Sequence, residues 1–388
     1  MDIKDLSLSI SKDLIRINSE NLGSNEVEIV KWCRNLLATY GIETRITARD
    51  PMRPSLIAVC QGKNPGRKLI FQSHLDTKPA AHAGTSIESW TSDPFEPRFE
   101  NGRMYGLGAC DTKSGAAAQL AVLIHYATHG LERGELVWQG VADEEHGSWY
   151  GAEYLLESGE LVADGAVVAE PSDAVPTFSQ LGSVWCEINI TGAAAHGGTP
   201  WRGRDAIAAG LKLTAYMEQR LREFPHDKRF CGHPALGVRQ VGGGSHPGTV
   251  ASSCQLVCDV RVPPGLERQE VSDAWLACAA KVEGETGVSI EIVPSVGGGC
   301  ESNEITTSSP LAIAAGRAWH SAFDEELQPG VFFGGSDARY FAKASTPCIV
   351  FGPGSLEVAH SPDEFVPVSE IGSSAMFLRA LVQTFLID

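Results

Sequence analysis

LVWQGVADEE, residues 136–145, joins a largely apolar run to three consecutive carboxylates, Asp143, Glu144 and Glu145. An apolar run of this length is typical of a strand that is buried on both faces of a parallel sheet. Such strands deliver their last residues to the carboxyl edge of the sheet, where open α/β folds bind ligands. Three acids at that edge would repel one another and lose hydration, so a cation, most simply a metal ion, would compensate them. The alternative is an acidic loop that faces solvent, which is the commoner place for a run of charges.

Composition limits the classes of protein to which this chain can belong. Its 388 residues suffice for two or three domains, and its net charge of −17 argues against a nucleic acid or an anionic membrane as partner. The N-terminus lacks the apolar segment of a signal peptide, and no stretch approaches the roughly 20 apolar residues of a membrane span. The ten cysteines are scattered without a Cys-x-x-Cys pair. They predict reduced thiols in a cytoplasmic protein.

Other segments place residues that can bind metals at comparable positions. An apolar strand ends in His74-x-Asp76, and residues two apart at a strand end point to the same side, so Asp76 could fix the ring of a metal-binding His74. Asp111 stands just before an Ala-rich helical pattern, Glu170 ends a further apolar strand, and His360 follows the last one. Each has an ordinary alternative, such as a helix N-cap aspartate or an exposed loop histidine. Their repetition at successive strand ends favours a metal site.

The order of elements predicts an α/β fold with a mostly parallel sheet flanked by helices. Within residues 181–293 the pattern changes to strand-helix-strand-strand-helix-strand, which is typical of an α+β sandwich. We therefore expect a catalytic, metal-binding domain at residues 1–180 and 294–388, into which a smaller domain at residues 181–293 is inserted.

With these positions in hand, the sequence resembles the co-catalytic zinc hydrolase family of acetylornithine deacetylase, succinyl-diaminopimelate desuccinylase, aminoacylase-1 and carboxypeptidase G. The resemblance covers essentially the whole chain and is carried by the order and spacing of eight short motifs. They are SHLD at 73–76, GxGxxDxKxG at 106–115, DEExG at 143–147, EPS at 170–172, GxxxH at 192–196, DVR at 259–261, GSDAR at 335–339 and AH at 359–360.

The resemblance implies a centre of two zinc ions, for which cobalt or manganese could substitute. Asp111 would bridge the two ions. His74 and Glu170 would hold one of them, and Glu145 and His360 would hold the other.

The resemblance also implies roles for the neighbours of these ligands. Asp76 would orient His74, and the peptide bond after Asp111 would be cis. Glu144 would be the general acid/base. If the strand continued through the acids, Glu144 would point away from the metals whenever Glu145 faced them, because strand neighbours alternate.

Further implied roles concern the substrate and a partner copy. The inserted domain would pair two subunits into a homodimer, and His196 would reach the active site of the partner. Arg261 would grip a substrate carboxylate, although a salt bridge on the sheet surface is an equal alternative. Gly335 and Ser336 would form a loop that binds the substrate carboxylate near the metals.

Deacylation of an N-acyl amino acid is the predicted reaction, with a dipeptidase or carboxypeptidase as the alternative. Residues 180–182, Gln-Leu-Gly, lack the arginine that the desuccinylase branch carries there, which argues against a succinyl substrate. Two other classes are weaker alternatives. A serine hydrolase would use Ser336, whose surroundings loosely match the Gly-x-Ser-x-Gly elbow. An inactive binding protein would have lost a ligand or Glu144, and none is lost.

Overall fold

A computed structural model of the protein describes residues 2–22, 25–81, 85–230, 232, 234–294 and 298–388. Contacts between Cα atoms divide the chain into two compact units. The larger unit comprises Met1–Ser179, Glu304–Phe332 and Ser336–Asp388, and the smaller unit comprises Gln180–Asn303 and Phe333–Gly335.

The chain contains both α-helices and β-strands. Within the described residues the α-helices are α1 (Ile3–Ile15), α2 (Val27–Thr39), α3 (Lys113–His129), α4 (Ala152–Glu157), α5 (Ala206–Leu221), α6 (Arg268–Thr286), α7 (Pro310–Phe323), α8 (Ala338–Lys343) and α9 (Val368–Val382). The strands are β1 (Thr44–Thr47), β2 (Ser55–Gln61), β3 (Asn64–His74), β4 (Arg98–Glu100), β5 (Arg103–Tyr105), β6 (Arg133–Val141), β7 (Gly165–Val168), β8 (Thr177–Gln180), β9 (Gly182–Thr191), β10 (Ala235–Gly243), β11 (Ser253–Val262), β12 (Ser289–Pro294), β13 (Asn303–Glu304), β14 (Gly330–Phe332), β15 (Cys348–Val350) and β16 (Phe365–Pro367). Strands β9 to β12 with α5 and α6 lie in the smaller unit.

The larger unit is built on a sheet whose strand order is β1-β2-β6-β3-β7-β15-β8-β13, with β14 paired to β8. Its central strands β6, β3, β7 and β15 run parallel, whereas β1 and β2 on one side and β8 on the other pair antiparallel. This arrangement confirms the predicted mostly parallel sheet.

Helices cover both faces of this sheet because its central strands are apolar on both sides. Leu69 and Phe71 of β3 pack in one cluster with Leu120 of α3, whereas Ile70 packs in another cluster with Phe341 of α8. Successive strand residues point to opposite faces, so a continuous apolar run needs a helical layer on each side.

The ends of the parallel strands deliver the predicted site residues. His74 is the last residue of β3, β6 ends at Val141 just before the acidic triplet, and β7 ends at Val168, two residues before Glu170. Helix α3 begins two residues after Asp111. Since parallel strands end at one edge of a sheet, these residues share that edge.

The smaller unit has a four-stranded antiparallel sheet in the order β10-β11-β9-β12. Helices α5 and α6 cover one face, where Leu213 and Trp275 pack against Ile188 and Ile190 of β9. Trp185, on the alternate side of β9, is 40% exposed. The predicted strand-helix order of the inserted segment is confirmed, whereas the pairing of two copies through it stays a prediction.

The cysteines that the structure describes are all buried and free, and Cys231 lies outside the described residues. In the part of the chain that the structure covers, no helix has both the length and the apolar character to cross a membrane.

Gly151 provides the first test of this fold. A Cβ atom there would lie 1.8 Å from the main-chain oxygen of Ala142. The loop that follows β6 can therefore pass this close to Ala142 only with a glycine at position 151. We expect Gly151→Ala to lower the free energy of unfolding by roughly 3 kcal/mol, because backbone atoms must shift.

A matched control is Gly316→Ala in α7, where an added Cβ meets nothing within 4 Å. That substitution should raise the free energy of unfolding by about 1 kcal/mol, because alanine is the better helix former. Urea unfolding of both variants measures the difference. Equal stability of Gly151→Ala and the wild type would contradict the close approach.

Candidate metal centre

Asp111 lies at the centre of the cluster, with one histidine against each of its carboxylate oxygens. His74 Nε2 is 2.9 Å from Asp111 Oδ1, and His360 Nε2 is 3.2 Å from Asp111 Oδ2. Glu145 adjoins the second histidine, with its Oε1 3.1 Å from His360 Nε2. The peptide bond between Asp111 and Thr112 is cis, as predicted. A carboxylate with an imidazole at each oxygen could bind a metal ion through each of those oxygens.

Glu170 and Glu144 lie on the His74 side of the cluster. One ligand atom from each of these three residues lies within 4.8 Å of the others. Glu170 is only 4% exposed, and its Oε1 has no hydrogen-bond partner among the residues that the structure describes. A buried carboxylate oxygen without a partner is costly, so it calls for a cation or another ligand.

The electrostatics of the cluster show a deficit of positive charge. Burial, and then the charge of Asp111, raise the pKa of Glu170 well above its usual range. Burial, and then the charge of Asp337, raise the pKa of Glu144 to about 8. Burial alone would lower the pKa of His74, but its hydrogen bond and charge interaction with Asp111 raise it well above the usual value. A bound dication would reverse these preferences by favouring ionised carboxylates and neutral imidazoles.

The chemistry of the donors fits a transition metal. Imidazole nitrogens and carboxylate oxygens together suit zinc, cobalt and manganese, whereas calcium and magnesium prefer oxygen ligands alone. The residues brought together are His74, Asp111, Glu145, Glu170 and His360, which are the five predicted ligands.

Asp76 anchors both the histidine and the acidic loop. His74 Nδ1 lies 2.9 Å from the main-chain oxygen of Asp76, to which it donates when protonated there, and 3.7 Å from the Asp76 carboxylate. That carboxylate instead accepts hydrogen bonds from the main-chain N–H groups of Glu144 (3.2 Å) and Glu145 (3.1 Å). The main chain of Asp76 therefore orients the histidine, and its side chain positions the two glutamates.

Glu144 and Glu145 do not point in opposite directions, as neighbours on a continuing strand would. Strand β6 ends at Val141, Asp143 adopts a left-handed conformation with φ of 67°, and Glu144–His146 form a 3₁₀ turn. Because the strand has ended, the carboxylates of both glutamates reach the cluster.

A buried polar network beneath the triplet was not predicted from the sequence. Asn21 Nδ2 donates to Asp76 Oδ2 (2.7 Å) and to Asp143 Oδ1 (3.1 Å). Arg53 Nη2 donates to Asp143 Oδ1 (3.2 Å) and to Glu26 Oε1 (2.6 Å), and its Nε donates to Glu26 Oε2 (2.7 Å). Asn21 and Arg53 stand 122 and 90 positions from Asp143 in the chain, so no local pattern could reveal them.

Lys78 is a second residue that the sequence interpretation missed. Its Nζ lies 3.0 Å from Glu145 Oε2 and donates to the main-chain oxygen of the same residue. Lys78 and Glu145 stand 67 positions apart in the chain, so no local pattern could reveal the contact.

His196 and Arg261 lie in the smaller unit. His196 is exposed, and its Nδ1 accepts a hydrogen bond from Gly198 N–H (3.0 Å), which leaves Nε2 as the donor of a neutral ring. Arg261 Nε donates to Asp259 Oδ2 (3.0 Å), the salt-bridge arrangement that the sequence left as an alternative. Their roles with substrate stay predictions.

Binding of the substrate carboxylate by Gly335 and Ser336 also stays a prediction. Ser336 is completely buried, and its Oγ accepts a hydrogen bond from Ala338 N–H (3.2 Å) at the start of α8. A nucleophile elbow exposes its serine, so this burial counts against a serine hydrolase.

Comparison with known proteins agrees with this geometry. Residues 70–384 match the profile of Peptidase family M20/M25/M40. The chain is 27% identical over 372 residues to acetylornithine deacetylase of Proteus mirabilis, covering 93% of this chain and 90% of that protein. It is 25% identical over 383 residues to a probable succinyl-diaminopimelate desuccinylase of Staphylococcus epidermidis, covering 91% of each. The crystal structure of a tripeptidase from Staphylococcus aureus has the same fold, with a TM-score of 0.80, 20% identity and 98% coverage of each chain.

The family match extends over most of the chain and includes every residue of the cluster. The resemblance expected from the eight motifs is therefore confirmed. The chain belongs to peptidase family M20/M25/M40 and is a hydrolase of amide or peptide bonds.

Proposed function

We propose that this hydrolase is a two-zinc enzyme that removes the acyl group from an N-acyl amino acid. The observation that carries the proposal is the Asp111 carboxylate, which has His74 on one oxygen and His360 on the other. The choice of substrate is supported by two relatives, aligned over more than nine-tenths of the chain, whose names describe removal of an acetyl or a succinyl group.

The five ligands divide into two sets that share Asp111. His74 and Glu170 would hold one ion, and Glu145 and His360 would hold the other. When bound, two zinc ions would lower the pKa of a water molecule and polarise the amide carbonyl.

Glu144 is the residue that would move the proton. Its carboxylate lies within 4.8 Å of ligand atoms of His74 and Glu170, although neither proposed ligand set requires it. It would take a proton from the attacking water and deliver it to the leaving nitrogen, which general acid–base catalysis requires of one group in turn.

The network beneath the triplet would keep Glu144 in position. Asp76 holds the main-chain N–H groups of Glu144 and Glu145, and Asn21 joins Asp76 to Asp143. Any shift of the loop would leave buried carboxylates without donors, a cost of several kcal/mol by the usual values for broken buried pairs.

The smaller unit would supply the remaining groups in a homodimer. The Nε2–H of His196 would donate to the oxyanion of the partner's substrate, a contribution of roughly 3–4 kcal/mol for a donor of this kind. Arg261 would bind the substrate carboxylate. The buried free thiols support a cytoplasmic setting.

A peptidase is the second candidate function, because the family that matches is described as a peptidase family. Both reactions cleave an amide next to a carboxylate. The metal centre therefore serves either reaction, and substrate tests must separate them.

A substrate panel tests the proposed function. The protein is stripped with a chelator, reloaded with Zn²⁺ or Co²⁺, and offered N-acetyl, N-formyl and N-succinyl amino acids and dipeptides. We expect hydrolysis of N-acetyl amino acids that disappears on chelation, returns with zinc and resists a fluorophosphonate. Cleavage of dipeptides but of no N-acyl amino acid would show that the enzyme is a peptidase and not a deacylase. Activity that survives chelation but is lost with the fluorophosphonate would show that it is a serine enzyme.

The substitutions Glu144→Gln and Glu145→Gln distinguish the proposed role of a proton carrier from that of a metal ligand. Glu144→Gln should keep two zinc ions per chain and lose turnover by roughly a thousandfold, the usual scale for a general base. Glu145→Gln should lose zinc as well as turnover, because it removes a ligand charge. Elemental analysis and initial rates measure both, and full activity of Glu144→Gln would refute its role.

A further inference from the structure

Lys78 places a permanent positive charge against one of the proposed ligands. It lies in the loop that follows β3, four residues after His74, and its Nζ is 3.0 Å from Glu145 Oε2. The ammonium group also donates to the main-chain oxygen of Glu145. These two contacts attach one lysine to both the side chain and the backbone of a single ligand residue.

The two oxygens of the Glu145 carboxylate therefore have different partners. Oε1 faces His360 Nε2 at 3.1 Å, whereas Oε2 faces the ammonium group of Lys78. The side chain of Glu145 is only 4% exposed and that of Lys78 is 33% exposed, so solvent screens the pair weakly. A glutamate held in this way can offer one oxygen to a metal ion, and the other oxygen stays with the lysine.

The carboxylate of Glu170, on the other side of Asp111, is not paired with a lysine in this way. Glu170 Oε1 is buried and has no hydrogen-bond partner in the portion of the chain that the structure describes. A carboxylate oxygen in that state is ready to bind a cation without first giving up another contact. The cluster thus has a carboxylate oxygen without a hydrogen-bond partner beside His74 and a carboxylate already paired with a lysine beside His360.

We propose that Lys78 is a built-in counter-ion that sets the affinity of the position formed by Glu145 and His360, making it the weaker of the two metal positions. This inference rests on the two-metal centre of the proposed function. A dication at that position must share Glu145 with the ammonium group and is repelled by it across a few ångströms. Both effects lower its affinity, whereas no lysine or arginine among the described residues forms an ion pair with Glu170.

Zinc titration by calorimetry tests the role of Lys78 without relying on turnover. Chelator-treated wild type, Lys78→Met and Lys78→Arg are compared. Lys63→Met is the control, because the side chain of Lys63 is 64% exposed and pairs with Glu132. We expect two binding events in the wild type. Lys78→Met should tighten the weaker event about tenfold or more and leave the stronger one within twofold, because one full charge leaves the poorly screened site. Lys78→Arg and Lys63→Met should match the wild type.

The outcomes separate this inference from the function on which it rests. Two events in the wild type with an unchanged or weakened second event in Lys78→Met would overturn the role of Lys78 and leave the metal centre standing. An equal tightening in Lys63→Met would show that net charge alone causes the effect, and this result would also overturn the role of Lys78. If the wild type bound no zinc, the metal centre and the lysine proposal would both be refuted.

Discussion

A buried carboxylate that faces an imidazole on each side is the constraint on which the rest of this molecule depends. Asp111 can occupy that position only because strands β3, β6 and β7 end at one edge of the sheet and bring His74, Glu145 and Glu170 to it. Removing so many acids from water is costly, and bound cations would offset that cost. The apolar strands and the helices on both faces of the sheet therefore create an electrostatic demand that a pair of metal ions would meet.

The supporting contacts show how the fold holds charged groups in place at such an edge. Asp76 contacts His74 through its main chain and the acidic loop through its side chain, so one residue joins two strand ends. Asn21 and Arg53 extend this support by donating to Asp143. Buried polar groups that are linked in this way favour a single arrangement, because other arrangements leave charges unpaired. The proposed role of Glu144 would depend on this rigidity, since a proton carrier must stay within reach of both the water and the leaving nitrogen.

The segments that carry the proposed ligands were predictable from the sequence because their signal is local. An apolar run with a metal-binding residue at its end can be recognised within ten residues, and the order of the motifs supplied the rest. The direction of Glu144 was not predictable, because the strand ends at Val141 and the residues that follow leave the alternating geometry. Asn21, Arg53 and Lys78 were missed because their importance arises from contacts made in three dimensions, over separations that reach 122 positions along the chain.

The most direct measurement for the two-metal centre is an anomalous difference map from crystals of the zinc-loaded protein, recorded on either side of the zinc absorption edge. We expect two peaks about 3.5–4 Å apart, the spacing of metal ions that share a ligand, with the carboxylate of Asp111 between them. One peak should adjoin His74 and Glu170, and the other should adjoin Glu145 and His360. A single peak, or peaks that lie away from Asp111, would contradict the bridging role assigned to it.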